Sequence, residues 1–221
     1  MASAQQDLLH VLAREHRDHS IAFHDLIDHL ETTAPRHRRR QYSALVTNLA
    51  VHLAAETTLV HPLVMTASAD GEETRRTRER EIRSLEVRLT EAGGHLDDLD
   101  DLREALLVAS GETASHADRE ELEMFAYARH AATPQELRRF GRSHATLRQR
   151  LPTRYQREGN CPHAPWADPR LHASIRSWYA ESLPDLPVDD DADDRSARPD
   201  PLHPGPVDVV DQRTREPDVR R

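Results

Sequence analysis

One stretch of this chain places a histidine and a glutamate where its apolar pattern calls for core residues, and no other feature limits the fold as strongly. Apolar residues stand at Leu45, Leu49, Leu59 and Leu63; His52 and Glu56 complete the series in steps of four and three. That spacing is the seam of a helix packed in a bundle. Four residues apart on a helix, His52 and Glu56 share one face, one turn apart. A buried polar pair is costly unless it is satisfied, and a metal ion is one partner that satisfies both groups at once.

The same periodicity predicts further helices. The first covers residues 7–31, with the seam Leu9, Leu12, His16, His19, Phe23, Leu26 and Leu30. Two histidines therefore face the core, while His10, His24 and His29 fall off the seam. Pro35 closes this helix. The second helix covers 38–65, and Pro62 should kink or end it nearby. His61, nine residues beyond His52, stands about half a revolution away and is expected outside the site. The third helix covers 72–92; its seam of Ile82, Leu85, Leu89 and Ala92 steps back to Arg78, and it holds no histidine. Gly93-Gly94 is its expected stop. The fourth begins in the acidic stretch at 97–101, which suits a helix N-terminus. Its seam is Leu102, Leu106, Ala109, Thr113, His116, Glu120 and Met124, so His116 and Glu120 repeat the arrangement of His52 and Glu56. Gly111 within it costs about 1 kcal/mol relative to Ala and marks either a close approach or a small kink. Thr133-Pro134-Gln135-Glu136 carries the signature of a capped helix start, and a fifth helix runs from Pro134 to about Leu151, closed by Pro152.

Beyond this the pattern weakens. Residues 152–183 read as a loop, around Cys161-Pro162-His163, followed by a short helix docking through Ile175, Trp178 and Tyr179. Residues 184–221 hold 7 of the 14 prolines and few large apolar residues, and read as a disordered acidic tail able to recruit a protein partner. The formal charge of −9 argues against a nucleic-acid-binding body. A single cysteine excludes an internal disulfide framework and suits a reducing compartment. No apolar run is read as approaching a membrane span, and no secretory signal is read at the N-terminus. The expectation is a soluble, cytoplasmic protein of 221 residues with one main domain over residues 7–151.

One H-x-x-x-E is a weak signal; two copies, each inside an apolar seam, are a stronger one. In an antiparallel bundle His16, His52, Glu56, His116 and Glu120 can meet at one level as metal ligands. Imidazole with carboxylate suits iron, zinc or manganese better than calcium. No H-E-x-x-H, Gly-rich phosphate loop or G-x-S-x-G is present, so a metal-binding or sensing protein is expected rather than a dedicated enzyme.

These residues resemble the hemerythrin-like (HHE cation-binding) family over about residues 7–151. Asp7-Leu8-Leu9 through Glu15-His16 resembles the family's opening. Val51-His52 through Glu56 to His61-Pro62 resembles its second motif, with His61 where an aromatic usually stands. Ser115-His116 through Glu120 to Phe125, then Thr133 to Leu137, resembles its last motif and the helix that follows. The resemblance implies an all-α, up-down-up-down four-helix bundle with a short fifth helix. It also implies a non-haem iron centre that binds or senses oxygen, nitric oxide or peroxide. The departure is in helix three, where the family's histidine falls near Arg78 or Glu79. Glu79 or Glu81 could supply oxygen there, or His19 nitrogen from helix one, giving a di-iron centre with a substituted ligand or a degenerate mono-iron site. The alternative is a metal-free bundle acting as an interaction module, in which Arg78 turns inward to neutralise Glu56 and Glu120.

Overall fold

The computed structural model describes residues 7–155, and these form five helices with no strand among them. The loop at 156–183 with its docking helix and the tail at 184–221 lie outside the described residues. Helix α1 is Leu8–Asp28, α2 is Pro35–Ala67, α3 is Gly71–Gly94, α4 spans 99–131 and α5 is Pro134–Tyr155. α1 packs against α2, α4 and α5; α3 lies along α4; the C-terminal parts of α2 and α4 pack together; and α2 also meets α3 and α5.

Local chemistry starts each helix. The Asp7 side chain caps α1 by accepting from the His10 N–H at 2.9 Å. Pro35 begins α2 rather than only ending α1, since its missing N–H costs nothing in a first turn. Asp98 caps α4 and Asp100 and Asp101 follow it in the first turn. At α5, the Thr133 N–H donates to Glu136 Oε2 at 2.7 Å and the Glu136 N–H donates to Thr133 Oγ1 at 3.2 Å, a reciprocal capping box. The turn into α3 needs glycine: a Cβ on Gly71 would stand 2.7 Å from Met65 Cα and 2.8 Å from Val64 O. One expected stop does not hold: α5 passes Pro152. α3 ends at Gly94, within its expected stop, and α2 continues past Pro62 to Ala67, with an irregular turn just before the proline. Gly111 is exposed with nothing within 4 Å of its would-be Cβ, so it marks no close approach.

The predicted seams are the core. Every seam residue of α1, α3 and α4 is buried, Arg78 included, and in α2 only Leu63 is half-buried. α2 is buried well beyond its seam, with Val46, Ala50, Val51, Leu53, Ala54 and Ala55 all inside. That corrects one reading of the sequence: α2 is long and apolar enough to cross a membrane by length and composition, but 72% of its apolar window is buried inside the protein, as in a core helix.

Arg38 locks one end of the molecule. It is 4% exposed. Its guanidinium donates to the carbonyls of Leu30 at 3.1 Å, Thr33 at 3.3 Å and Leu96 at 3.1 and 3.2 Å, tying the ends of α1 and α3 to the start of α2. Arg38→Met keeps the length of the side chain and removes the donors, leaving buried carbonyls unpaired. The expected loss is about 2–3 kcal/mol in a denaturant melt.

Candidate metal centre

Four side chains from three helices converge in the core: His16 from α1, His52 and Glu56 from α2, and Glu120 from α4. Each offers a ligand atom, and these atoms lie within 4.8 Å of one another. His52 Nε2 is 2.5 Å from Glu56 Oε1; His16 Nε2 is 3.2 Å from Glu120 Oε2 and 3.8 Å from Glu56 Oε1. None of these approaches is aligned as a hydrogen bond. His16 Nε2, His52 Nε2, Glu56 Oε1 and both Glu120 oxygens are buried without a hydrogen-bond partner. Nitrogen and oxygen ligands about 2.1 Å from a shared ion stand about 3–4 Å apart. The two His16 separations fit that spacing while His52 and Glu56 stand closer than two ligands of one ion; the donor types and the unpartnered atoms fit, and this group could hold a metal ion.

The two histidines are each aimed by a carboxylate on their far side. His52 Nδ1 is 2.9 Å from Glu15 Oε2, and His16 Nδ1 is 2.7 Å from Glu121 Oε1. A carboxylate on Nδ1 holds the proton there and leaves Nε2 bare, as in carboxylate–histidine–metal arrangements. Phe125 stacks on His16 with ring centroids 6.2 Å apart, and the His16 and His52 rings meet edge-on at 4.6 Å.

Both site glutamates open a π turn. Glu56–Val60 interrupts α2 and Glu120–Met124 interrupts α4. In each, an N–H five residues on closes the wider turn, from His61 to Glu56 O and from Phe125 to Glu120 O. Such turns occur mostly as single bulges and often at functional sites. The first ends just before Pro62, whose ring crowds a regular helix. The second has no proline near it, so what the two share is the glutamate.

The remaining candidates stand around this group. His116 is 4% exposed, but its Nε2 lies 2.9 Å from Glu56 Oε2, in hydrogen-bond geometry, on the opposite side of that carboxylate from the cluster. His19 is buried with its ring edge-on to His52 at 4.9 Å and its Nδ1 unpartnered. Glu79 pairs with Arg75. Arg78 is buried at 5% exposure, and its two terminal nitrogens pair at 2.6 Å with Glu81 and with Glu123 rather than with Glu56 or Glu120. Glu81 also stands 3.7 Å from His116 Nδ1. His61, expected outside, is buried with Nδ1 unpartnered. An α-helix turns about 100° per residue; a π turn takes an extra residue to go round, so it swings His61 toward the site.

Electrostatically, the cluster without metal is filled with protons. Burial opposes charge on His16, but the Glu120 and Glu56 carboxylates outweigh it and raise its pKa to about 11. His116 is raised to about 10 against burial, chiefly by Glu56, and His52 is raised by Glu56 and Glu15. The Glu56 carboxyl is held well below its ordinary range, because His52 and His116 overcome its burial. Burial and the Glu56 charge push Glu120 up to about 7. Burial pushes His19 well below the usual histidine value and His61 below it.

Comparison with protein-family models, curated proteins and solved structures found no match to this chain. The sequence pattern named all four convergent residues. It missed Glu15, Glu121 and His144, described below. Glu15 and Glu121 each adjoin a site residue in sequence, and Glu15 also stands in the opening motif, but helical spacing gave neither a place in the site.

Proposed function

We propose that this chain is a hemerythrin-like non-haem iron protein that binds or senses oxygen, nitric oxide or peroxide. In this reading the first four helices run up-down-up-down and α5 is an addition to them. One observation carries the proposal: His16, His52, Glu56 and Glu120 each offer a buried ligand atom within 4.8 Å of the others, and these atoms have no hydrogen-bond partner. Iron bound there would supply redox change and an open position for the small ligand. His16 and His52 give neutral nitrogen, and Glu56 and Glu120 give the negative charge that balances the ion. The seam residues beside them, Leu12, Leu49, Leu59 and Met124, are at most 3% exposed and exclude water.

The proposal favours a single ion. Glu56 Oε2 and His116 Nε2, which a second ion would need, already pair with each other. On the α3 side stands the buried Arg78 guanidinium, a permanent cation that disfavours another one. Anaerobic loading with ferrous iron followed by elemental analysis should give about one iron per chain, and the oxidised form a visible band that azide shifts. Two irons would make His116 a ligand of a second site. No iron would leave the metal-free interaction module, although Arg78 does not neutralise Glu56 and Glu120 as that alternative requires.

A further inference from the structure

The buried carboxylate of Glu15 joins three helices, and two of its three partners come from α5. Glu15 is 1% exposed and lies off the apolar seam of α1. One side of it faces His52 Nδ1. On the other, His144 Nε2 is 2.9 and 3.0 Å from its two oxygens, and Arg148 donates to Oε1 at 2.5 Å. His144 is fully buried, and four residues separate it from Arg148, so both reach Glu15 from one face of α5. A lone buried carboxylate is costly, so Glu15 keeps its place only while these donors are present.

We propose that Glu15, His144 and Arg148 make α5 part of the metal centre, so that metal binding at His52 and docking of α5 are linked. This rests on the reading that the four-residue cluster holds a metal. Glu15 is a positioning residue: it takes the Nδ1–H of His52 and so presents a bare Nε2 to the ion. His144 and Arg148 position Glu15 in turn. Undocking α5 removes both at once, and His52 then loses its fixed orientation. Linkage is reciprocal, so whatever metal occupancy does to Glu15 also acts on α5.

The test uses the full-length chain and zinc as a redox-silent probe, with affinity read by competition against a chromophoric chelator. Thermal melting of the metal-free protein is measured beside it. Glu15→Leu and His144→Phe should weaken zinc binding by about 10- to 100-fold, the usual cost of an outer-shell partner. Glu15→Gln and His144→Gln, which keep an acceptor and a donor respectively, should recover most of that loss. Zinc should also slow amide exchange along α5 in the wild type and fail to do so in Glu15→Leu. Variants that melt lower yet bind zinc as tightly as wild type would overturn the linkage and leave Glu15 a packing element. Equal exchange along α5 with and without zinc would overturn it too. A wild-type chain that takes no zinc and no iron would instead defeat the reading of the cluster itself, a result visible without any variant.

Discussion

Glu56→Ala abolishes metal binding, weakening it by more than the roughly 10- to 100-fold cost of an outer-shell change. Glu56 is fully buried, and of the two site glutamates it is the one whose oxygens face different ways. Oε1 faces the cluster beside His52 Nε2, and Oε2 pairs with His116. Without it the ion loses a ligand and the carboxylate nearest to His52 Nε2. His116→Gln is the informative companion. His116 acts through Glu56 in the proposed single-ion site, so its loss should cost about 10- to 100-fold and no more. Chelator competition with ferrous iron under anaerobic conditions measures both, and circular dichroism of the metal-free variants checks that the helices persist. If His116→Gln is as severe as Glu56→Ala, His116 is a direct ligand and the single-ion site is wrong.

Much of this site was legible because helical periodicity is a one-dimensional signal. Residues at steps of three and four share a face whatever the helix packs against, so His16, His52, Glu56 and Glu120 could be placed inward from the pattern alone. The capping box at Thr133 was legible for the same reason: it lies within four residues. What escaped depends on two kinds of information that spacing lacks. One is a departure from 100° per residue. The π turns at Glu56 and Glu120 shift everything after them, which is how His61 came to be buried when nine regular residues put it on the far side. The other is register between helices. Glu15 adjoins His16 in sequence yet serves His52, and Glu121 adjoins Glu120 yet serves His16. That exchange exists only once α1, α2 and α4 are set side by side. His144 needs a fifth helix in register as well. Arg78 shows the limit most plainly. Its seam position foretold burial, but spacing could not say whether it would meet Glu56 on α2, or Glu81 on its own helix and Glu123 on α4.

Metal affinity should climb steeply with pH, and metal should change how stability depends on pH. At neutral pH the metal-free His16, raised to about 11, carries a proton, and His52 is shifted in the same direction. A metal needs both Nε2 atoms bare, so binding expels those protons. The proton on His16 alone should then make affinity rise by about one order of magnitude per pH unit, about two orders between pH 6 and 8, and any proton lost from His52 adds to that slope. Below about 7 the proton on Glu120 must leave as well, and the slope steepens. Stability of the metal-free chain carries the opposite sign at high pH. His16 and His116 bind protons more tightly folded than unfolded, so their contribution is complete below about 6.5 and disappears as pH rises through about 10 and 11. Glu120, also raised, removes stability between about 4.5 and 7. Glu56 and Glu15 are depressed, so their contribution is present above about 4.5 and is lost in acid. The metal-free protein should therefore melt at falling temperature as the solution is made alkaline. A metal ion replaces the protons that hold the cluster together, so the loaded protein should keep its melting temperature over the same range. The gap between the two widens with pH. Melts of zinc-loaded and metal-free chain at pH 6, 8 and 9.5 measure it, and a gap that narrows instead would mean that the protons and the metal do not compete for the same atoms.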